Sequence, residues 1–166
     1  MKISSKCEYA CLALIYLAEH FGEGLVKIQS IASTKKIPKK FLEQILIVLK
    51  QRGYVKSKKG ASGGYRLALP PEKINLAEVI RLMDGALAPV ESVSKYFYEP
   101  TPIEQEERLL GVFREIRDYI AARLERISFR DLISVGSPGD GRPRPVKMIF
   151  DQCALICAGD LSQNLR

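Results

Sequence analysis

The chain has 166 residues, a formal net charge of +7, and 27% charged against 46% hydrophobic side chains. That is enough for one packed domain with appendages, and no apolar run approaches the ~20 residues needed to cross a bilayer. The N-terminal MKISSKCEYA lacks the apolar stretch of a secretory signal, so a cytoplasmic address with no membrane partner is expected. Charge is placed unevenly. Residues 1–85 hold 15 basic and 7 acidic side chains, a net of +8, whereas residues 86–166 hold 11 and 12, a net of −1. The N-terminal half is the expected polyanion binder, and the remainder has another task.

In chain order, Ser5-x-x-Glu8 reads as a capping box opening a helix whose apolar spacing continues through Phe21, with Gly22 and Gly24 ending it. A short extended piece over Leu25 to Ile28 leads to a compact helix around Gln29 to Thr34. After a Lys35–Lys36–Ile37 turn, Pro38 suits the first position of a third helix. Phe41, Leu42, Ile45, Leu46 and Leu49 form its buried side, and Gly53 stops it. Two short helices joined by a tight turn make a helix-turn-helix pattern. Two strands follow, Tyr54 to Lys58 and Tyr65 to Leu69, with GASGG at the tip. Glycines 60, 63 and 64 permit positive φ and close backbone approach. No Gly-Lys-Ser/Thr follows, so nucleotide hydrolysis is poorly supported. Asn75-x-x-Glu78 opens the next helix, which ends at Asp84–Gly85.

The segment from Lys35 to Lys59 carries nine Lys or Arg and a single acid, Glu43. A solvated helix face accounts for lysines on a helix. It does not account for the basic, glycine-tipped hairpin that follows, and neutralisation of phosphates with release of counterions accounts for both. Residues 1–85 are therefore expected to form a winged helix-turn-helix that binds double-stranded DNA.

Residues 86–100, ALAPVESVSKYFYEP, read as an aperiodic connector and a site for sensing. Thr101-Pro102-x-Glu104 then combines an N-cap, an N1 proline and a capping-box acid, which predicts a helix running to about Arg126. Leu109, Phe113, Ile116, Ile120 and Leu124 recur by threes and fours along it. Such a stripe packs either on the same domain or on a second copy, and its length after a complete small domain favours the dimer. Ser128-x-x-Asp131 caps a brief final helix through Ile133. Residues 136–145, GSPGDGRPRP, read as a flexible linker, so that 134–166 form a linker and tail. The expected fold class is mainly α with a small β-hairpin wing (α+β), completed by a long C-terminal dimerisation helix over 101–133.

MKISSKCEYACLALIYLA, IPKKFLEQIL and GYVKSKKGASGGYRLALPPEKINLAEVIRLMDG, in this order and spacing, resemble the bacterial winged-helix regulators of the Rrf-two family, typified by IscR, NsrR and CymR. The resemblance covers residues 1–133. It implies a homodimeric, sequence-specific transcriptional regulator on a two-fold symmetric operator. On that resemblance the third helix enters the major groove, placing Lys39, Lys40, Glu43 and Gln44 near base edges and phosphates. Glu43 either reads a cytosine amino group or pairs along its own helix with Lys39 or Lys40. Gln44 either contacts adenine or serves a buried hydrogen bond. The wing, through Lys58 and Lys59 with Gly63, Gly64 and Tyr65, lies over a minor groove. Lys59 stands where the family often has arginine, which softens sequence preference. Lys50 adds a phosphate contact, as does Lys6, with Tyr9 divided between that role and the core.

Cluster-binding members of the family carry three cysteines before the dimerisation helix. Here no cysteine occurs from 12 to 152, so no iron–sulfur cluster is expected and the cluster-free, CymR-like branch is the nearer likeness. Members of that branch respond through partner proteins or other signals, so the resemblance implies an effector protein or small molecule as a partner. Four cysteines form two i, i+4 pairs, Cys7 with Cys11 and Cys153 with Cys157. The first pair reads as core packing. A metal or thiol redox site built from Cys7, Cys153 and Cys157 requires the ends of the chain to meet, and an intracellular disulfide framework is disfavoured. The single histidine, His20, suits a helix C-terminus rather than catalysis. No nucleophile–base pair or carboxylate constellation supports an enzyme. A module whose main partner is a protein, held through the long helix and connector, is the other reading. It predicts a weak salt response where phosphate contacts predict a steep one.

Overall fold

The structure is a computed structural model describing residues 2–133. The linker and tail expected over 134–166, with Cys153 and Cys157, lie outside the described residues. Six α-helices and one hairpin make up the described chain: α1 (Ser5–Glu19), α2 (Ile28–Lys35), α3 (Lys39–Gln51), β1 (Val55–Lys58), β2 (Gly64–Leu67), α4 (Leu76–Asp84), α5 (Glu107–Glu125) and α6 (Phe129–Ile133).

The N-cap of α1 is Ser4, one residue earlier than the capping box placed it, and its Oγ accepts from the Cys7 amide. The helix stops at Glu19. His20 caps it, stacking on Tyr16 with ring centroids 4.4 Å apart while Nδ1 lies 2.8 Å from the Tyr16 carbonyl oxygen. Between α2 and α3 the chain reverses at Lys36, which holds a left-handed φ of 54°. Pro38 is the N-cap of α3 rather than its first residue.

Leu42, Ile45, Leu46 and Leu49 of α3 are buried with Ala10, Leu14 and Leu17 of α1 and Ile31 of α2 in one core. Burying each of these leucines and isoleucines stabilises the fold by roughly 1.5–3 kcal/mol. Phe41 departs from the expected buried side. It is 45% exposed and sits edge-on to Tyr9, the ring centroids 5.7 Å apart.

The hairpin is antiparallel, with Val55 opposite Leu67, Lys56 opposite Arg66, Ser57 opposite Tyr65 and Lys58 opposite Gly64. Val26 adds a bridge to Tyr65 through two backbone hydrogen bonds of 2.8 Å. Asn75 caps α4 by accepting from the Ala77 amide, while Glu78 turns away to accept from the Tyr54 hydroxyl at 3.3 Å.

The long helix begins at Glu107, not at Pro102. Residues Pro102–Gln105 form a 3₁₀ turn. Thr101 is used elsewhere, its hydroxyl bonding Ser92 at 2.7 Å, and Glu104 accepts from the Tyr98 hydroxyl at 2.8 Å. The connector is also more ordered in its packing than its aperiodic sequence suggests, since Ala88 and Val93 form a small core with Leu110 of α5. The reciprocal Ser128–Asp131 cap is formed as expected. It delivers the fully buried Phe129 into the same core as α1 and Ile74, so α6 closes the winged-helix body.

Candidate nucleic-acid interface

Lys39 and Lys40 occupy the first turn of α3, where the free amides carry the positive end of the helix dipole. Both are exposed, as are Glu43 and Gln44 one turn further on. None of these four side chains has an ion pair or hydrogen bond among the described residues. The helix-internal pair weighed for Glu43 is therefore not made, and Gln44 does not serve a buried hydrogen bond. Lys6 is exposed in the first turn of α1, whereas Tyr9 is half-buried against Phe41.

The wing concentrates charge further. Lys56 and Lys58 alternate onto the outward side of β1, and Arg66 lies directly opposite Lys56. Like charges facing each other across strands are destabilising by themselves. With Lys50, from the last turn of α3, these three line an open concavity of about 540 Å³. Lys56 and Arg66 were not singled out in the sequence. The signal lay in the period of two along each strand, once the register is known.

Gly63 and Gly64 play a different part from the contact role expected of them. Both are buried. A Cβ on Gly63 would collide with the Lys58 carbonyl oxygen, and one on Gly64 would lie 2.5 Å from the Val26 carbonyl oxygen. They shape the wing rather than present it. Tyr65 is half-buried against the core, and Lys27 Nζ donates to the Ala61 carbonyl, tying the tip to the start of α2. The exposed tip cations are Lys58 and Lys59.

The expected stripe on α5 divides between two faces. Phe113 packs on the Ala88–Val93–Leu110 cluster, Leu124 packs against Cys7, Ala77, Ile80 and Leu87, and Ile120 is half-buried. Leu109 and Ile116 belong instead to an outward row with Val112 and Tyr119, all 40–75% exposed. Their 3-4-3 spacing is that of a coiled-coil seam. Val112 and Tyr119 are the members that the sequence pattern missed.

Cys7 is fully buried, and its thiol is pushed up from the ordinary range by its hydrogen bond to Cys11, by burial and by the charge of Asp84. It is poorly suited to act as a thiolate. Among the described residues no group of three or more His, Cys, Asp or Glu is placed to hold a metal ion, and none of the helices is long and apolar enough to cross a membrane.

The model of the family described as "Rrf2: Iron-dependent Transcriptional regulator" matches residues 3–135. A rrf2-like HTH-type regulator of Rhodobacter capsulatus is 32% identical over 142 residues, spanning 82% of this chain and 95% of the relative. CymR of Bacillus subtilis is 35% identical over 134 residues, spanning 81% of this chain and 91% of CymR. The solved structure of that CymR, titled the global cysteine regulator, superposes with a TM-score of 0.67 at 33% identity, covering 82% and 99% of the two chains. T. potens IscR superposes at 0.64 and 30% identity, covering 84% and 94%. The fold is thus the winged helix of these regulators, the role is regulatory rather than enzymatic, and the chain belongs to the Rrf2 family of DNA-binding transcriptional regulators.

Proposed function

We propose that the protein regulates transcription as a homodimer that binds a two-fold symmetric operator, without an iron–sulfur cluster. The observation that carries the DNA reading is the set of uncompensated cations on α3 and the wing, above all Lys56 facing Arg66 beside Lys58. A polyanion turns that repulsion into binding energy. Lys39, Lys40, Glu43 and Gln44 face the major groove, with Glu43 accepting from a cytosine amino group. Lys58 and Lys59 lie over the adjoining minor groove. The outward row of Leu109, Val112, Ile116 and Tyr119 supports the dimer, since a second copy antiparallel or parallel to α5 would cover it.

The cluster-free part of the proposal rests on donor chemistry. The connector supplies no cysteine or histidine, and Cys7 and Cys11 face α4 within the body of the domain. Those residues do not fit a cluster.

The test is selection of duplexes from a random pool by anaerobically purified protein whose visible spectrum is recorded first. A colourless sample enriching a palindrome with half-sites about one helical turn apart, or a multiple of it, is the expected result. Enrichment of a single asymmetric site would overturn the dimer reading. A brown sample would overturn the cluster-free reading, and failure to enrich any sequence at low salt would overturn sequence-specific binding by the protein alone.

A further inference from the structure

A second cleft, of about 320 Å³, opens between α4, the connector and α5. Its size is at the lower end of small-ligand pockets. Three cations from three different elements converge on it: Arg81 of α4, Lys95 of the connector and Arg117 of α5. Only two carboxylates, Asp118 and Glu125, share the lining with them, which leaves one positive charge in excess.

The cations are held in place before any ligand arrives. Arg117 donates to the Val93 carbonyl at 2.6 Å and, through Nε and Nη2, to both oxygens of Asp118 at 3.0 and 2.9 Å. Lys95 Nζ lies 3.1 Å from Asp118. Arg81 pairs with Glu125, and its guanidinium carbon sits 5.1 Å from the centre of the Tyr96 ring. The Arg81 and Arg117 side chains are 20% and 15% exposed, whereas Lys95 is 58% exposed, so an anion bridging them would be partly withdrawn from water on the arginine side, where its attraction is strengthened. Ala121 and Ala122 line the α5 side with methyl groups, and the exposed Tyr96 ring lines the connector side.

We infer that this cleft is an effector site for a small organic anion, a carboxylate or phosphate ester with a short planar or apolar body. The oxyanion bridges Lys95 and the guanidinium groups, and the body lies between Tyr96 and the two alanines. The bonds from Arg117 and Lys95 hold the Asp118 carboxyl down to about 2, so Asp118 stays ionised at neutral pH and keeps both cations in place. Action on the operator rests on the regulatory reading above, whereas ligand binding does not, and the experiment reads binding directly.

Full-length protein carrying labelled alanine methyls is titrated by NMR with benzoate, phenyl phosphate, succinate and inorganic phosphate, with DNA affinity measured on the same samples. Saturable shifts of the Ala121 and Ala122 methyls, larger for the aromatic anions than for inorganic phosphate, are expected. Lys95→Ala should weaken binding about fivefold, and Arg117→Lys, which keeps the charge but loses the two-bond hold on Asp118 that orders the cleft, should weaken all the anions that bind. Lys59→Ala should leave the shifts unchanged. Absence of saturation with all four anions, or shifts indifferent to Lys95→Ala and Arg117→Lys, would overturn the inference. Loss of DNA binding alone would not.

Discussion

Gly64→Ala asks how much of the wing's attachment to the body depends on the backbone bridge at Val26. An added Cβ would lie 2.5 Å from the Val26 carbonyl oxygen, 3.0 Å from its carbon and 3.3 Å from Leu25 Cβ. The two nearest atoms are backbone, so no side-chain rotation relieves the clash, and the segment around Val26 must withdraw. That withdrawal strains the two 2.8 Å hydrogen bonds between Val26 and Tyr65. At about 1 kcal/mol each, their loss predicts destabilisation of roughly 2 kcal/mol. Gly111→Ala supplies the opposite case, because nothing lies within 4 Å of its Cβ and it sits inside α5. There the same substitution should stabilise by about 1 kcal/mol through helix propensity. Urea unfolding followed by circular dichroism measures both. Operator affinity by fluorescence anisotropy should fall at least tenfold for Gly64→Ala and stay unchanged for Gly111→Ala. Equal midpoints for Gly64→Ala and wild type, with wild-type affinity, would refute the argument that Gly64 lets the wing dock.

The other substitutions separate packing, assembly and recognition. Phe129→Ala should cost roughly 3–5 kcal/mol in the same unfolding assay, since the ring is fully buried between α1 and Ile74; a loss below 1 kcal/mol would mean α6 does not close the core. Ile116→Glu places a charge in the middle of the outward row and should shift the protein to monomer in analytical ultracentrifugation with little change in the helix content of the monomer. Glu43→Ala should flatten discrimination between operator variants by about tenfold, the ~1–3 kcal/mol of one base contact, while total affinity holds or rises; unchanged discrimination would leave Glu43 without a reading role. Burial first, and then the Glu78 charge beside its hydroxyl, raise Tyr54 above its ordinary value of 10.0. A raised folded value gives a stability contribution that is complete below about pH 10 and lost as the pH rises through the folded value. Tyrosinate absorbance should show Glu78→Gln titrating earlier than wild type.

Local chemistry that closes within a few residues was legible in the sequence. The order of helices and strands, most of the buried face of α3, the Asn75 cap and the Ser128–Asp131 box all depend on neighbours two to four positions apart. What required the fold was pairing across distance. Thr101 and Glu104 carry an N-terminal signature, yet Ser92 and Tyr98 take their side chains, and the helix starts five residues later than Pro102. Helical periodicity of α5 identified apolar spacing without saying which face meets the body, because Phe113 and Leu109 both fit threes and fours. Gly63 and Gly64 looked like points of contact with a partner, and only the Cβ distances identify that partner as the protein's own backbone. Lys56 and Arg66 acquire meaning as a facing pair, and that is a property of register.

The same distinction bears on how the two halves communicate. Helix α4 is tied at both ends. At its start Asn75 Nδ2 donates to the Glu125 carbonyl, the Leu76 amide donates to the Ile127 carbonyl at 2.9 Å, and Phe129 bonds back to Ile74 at 3.0 Å. At its end Asp84 accepts from both the amide and the hydroxyl of Ser4, the residue that caps α1. Between these ties stands Arg81, bound to Glu125 and stacked on Tyr96. A ligand that drew Arg81 from Glu125 would load a helix fastened both to the carboxyl end of α5 and to the amino end of α1, where Lys6 is exposed. Packed interfaces of this kind respond by shifting between discrete arrangements rather than by bending gradually. In the proposed dimer joined through α5, a rotation of α4 against that helix would change the separation of the two proposed recognition helices, which half-site spacing would report.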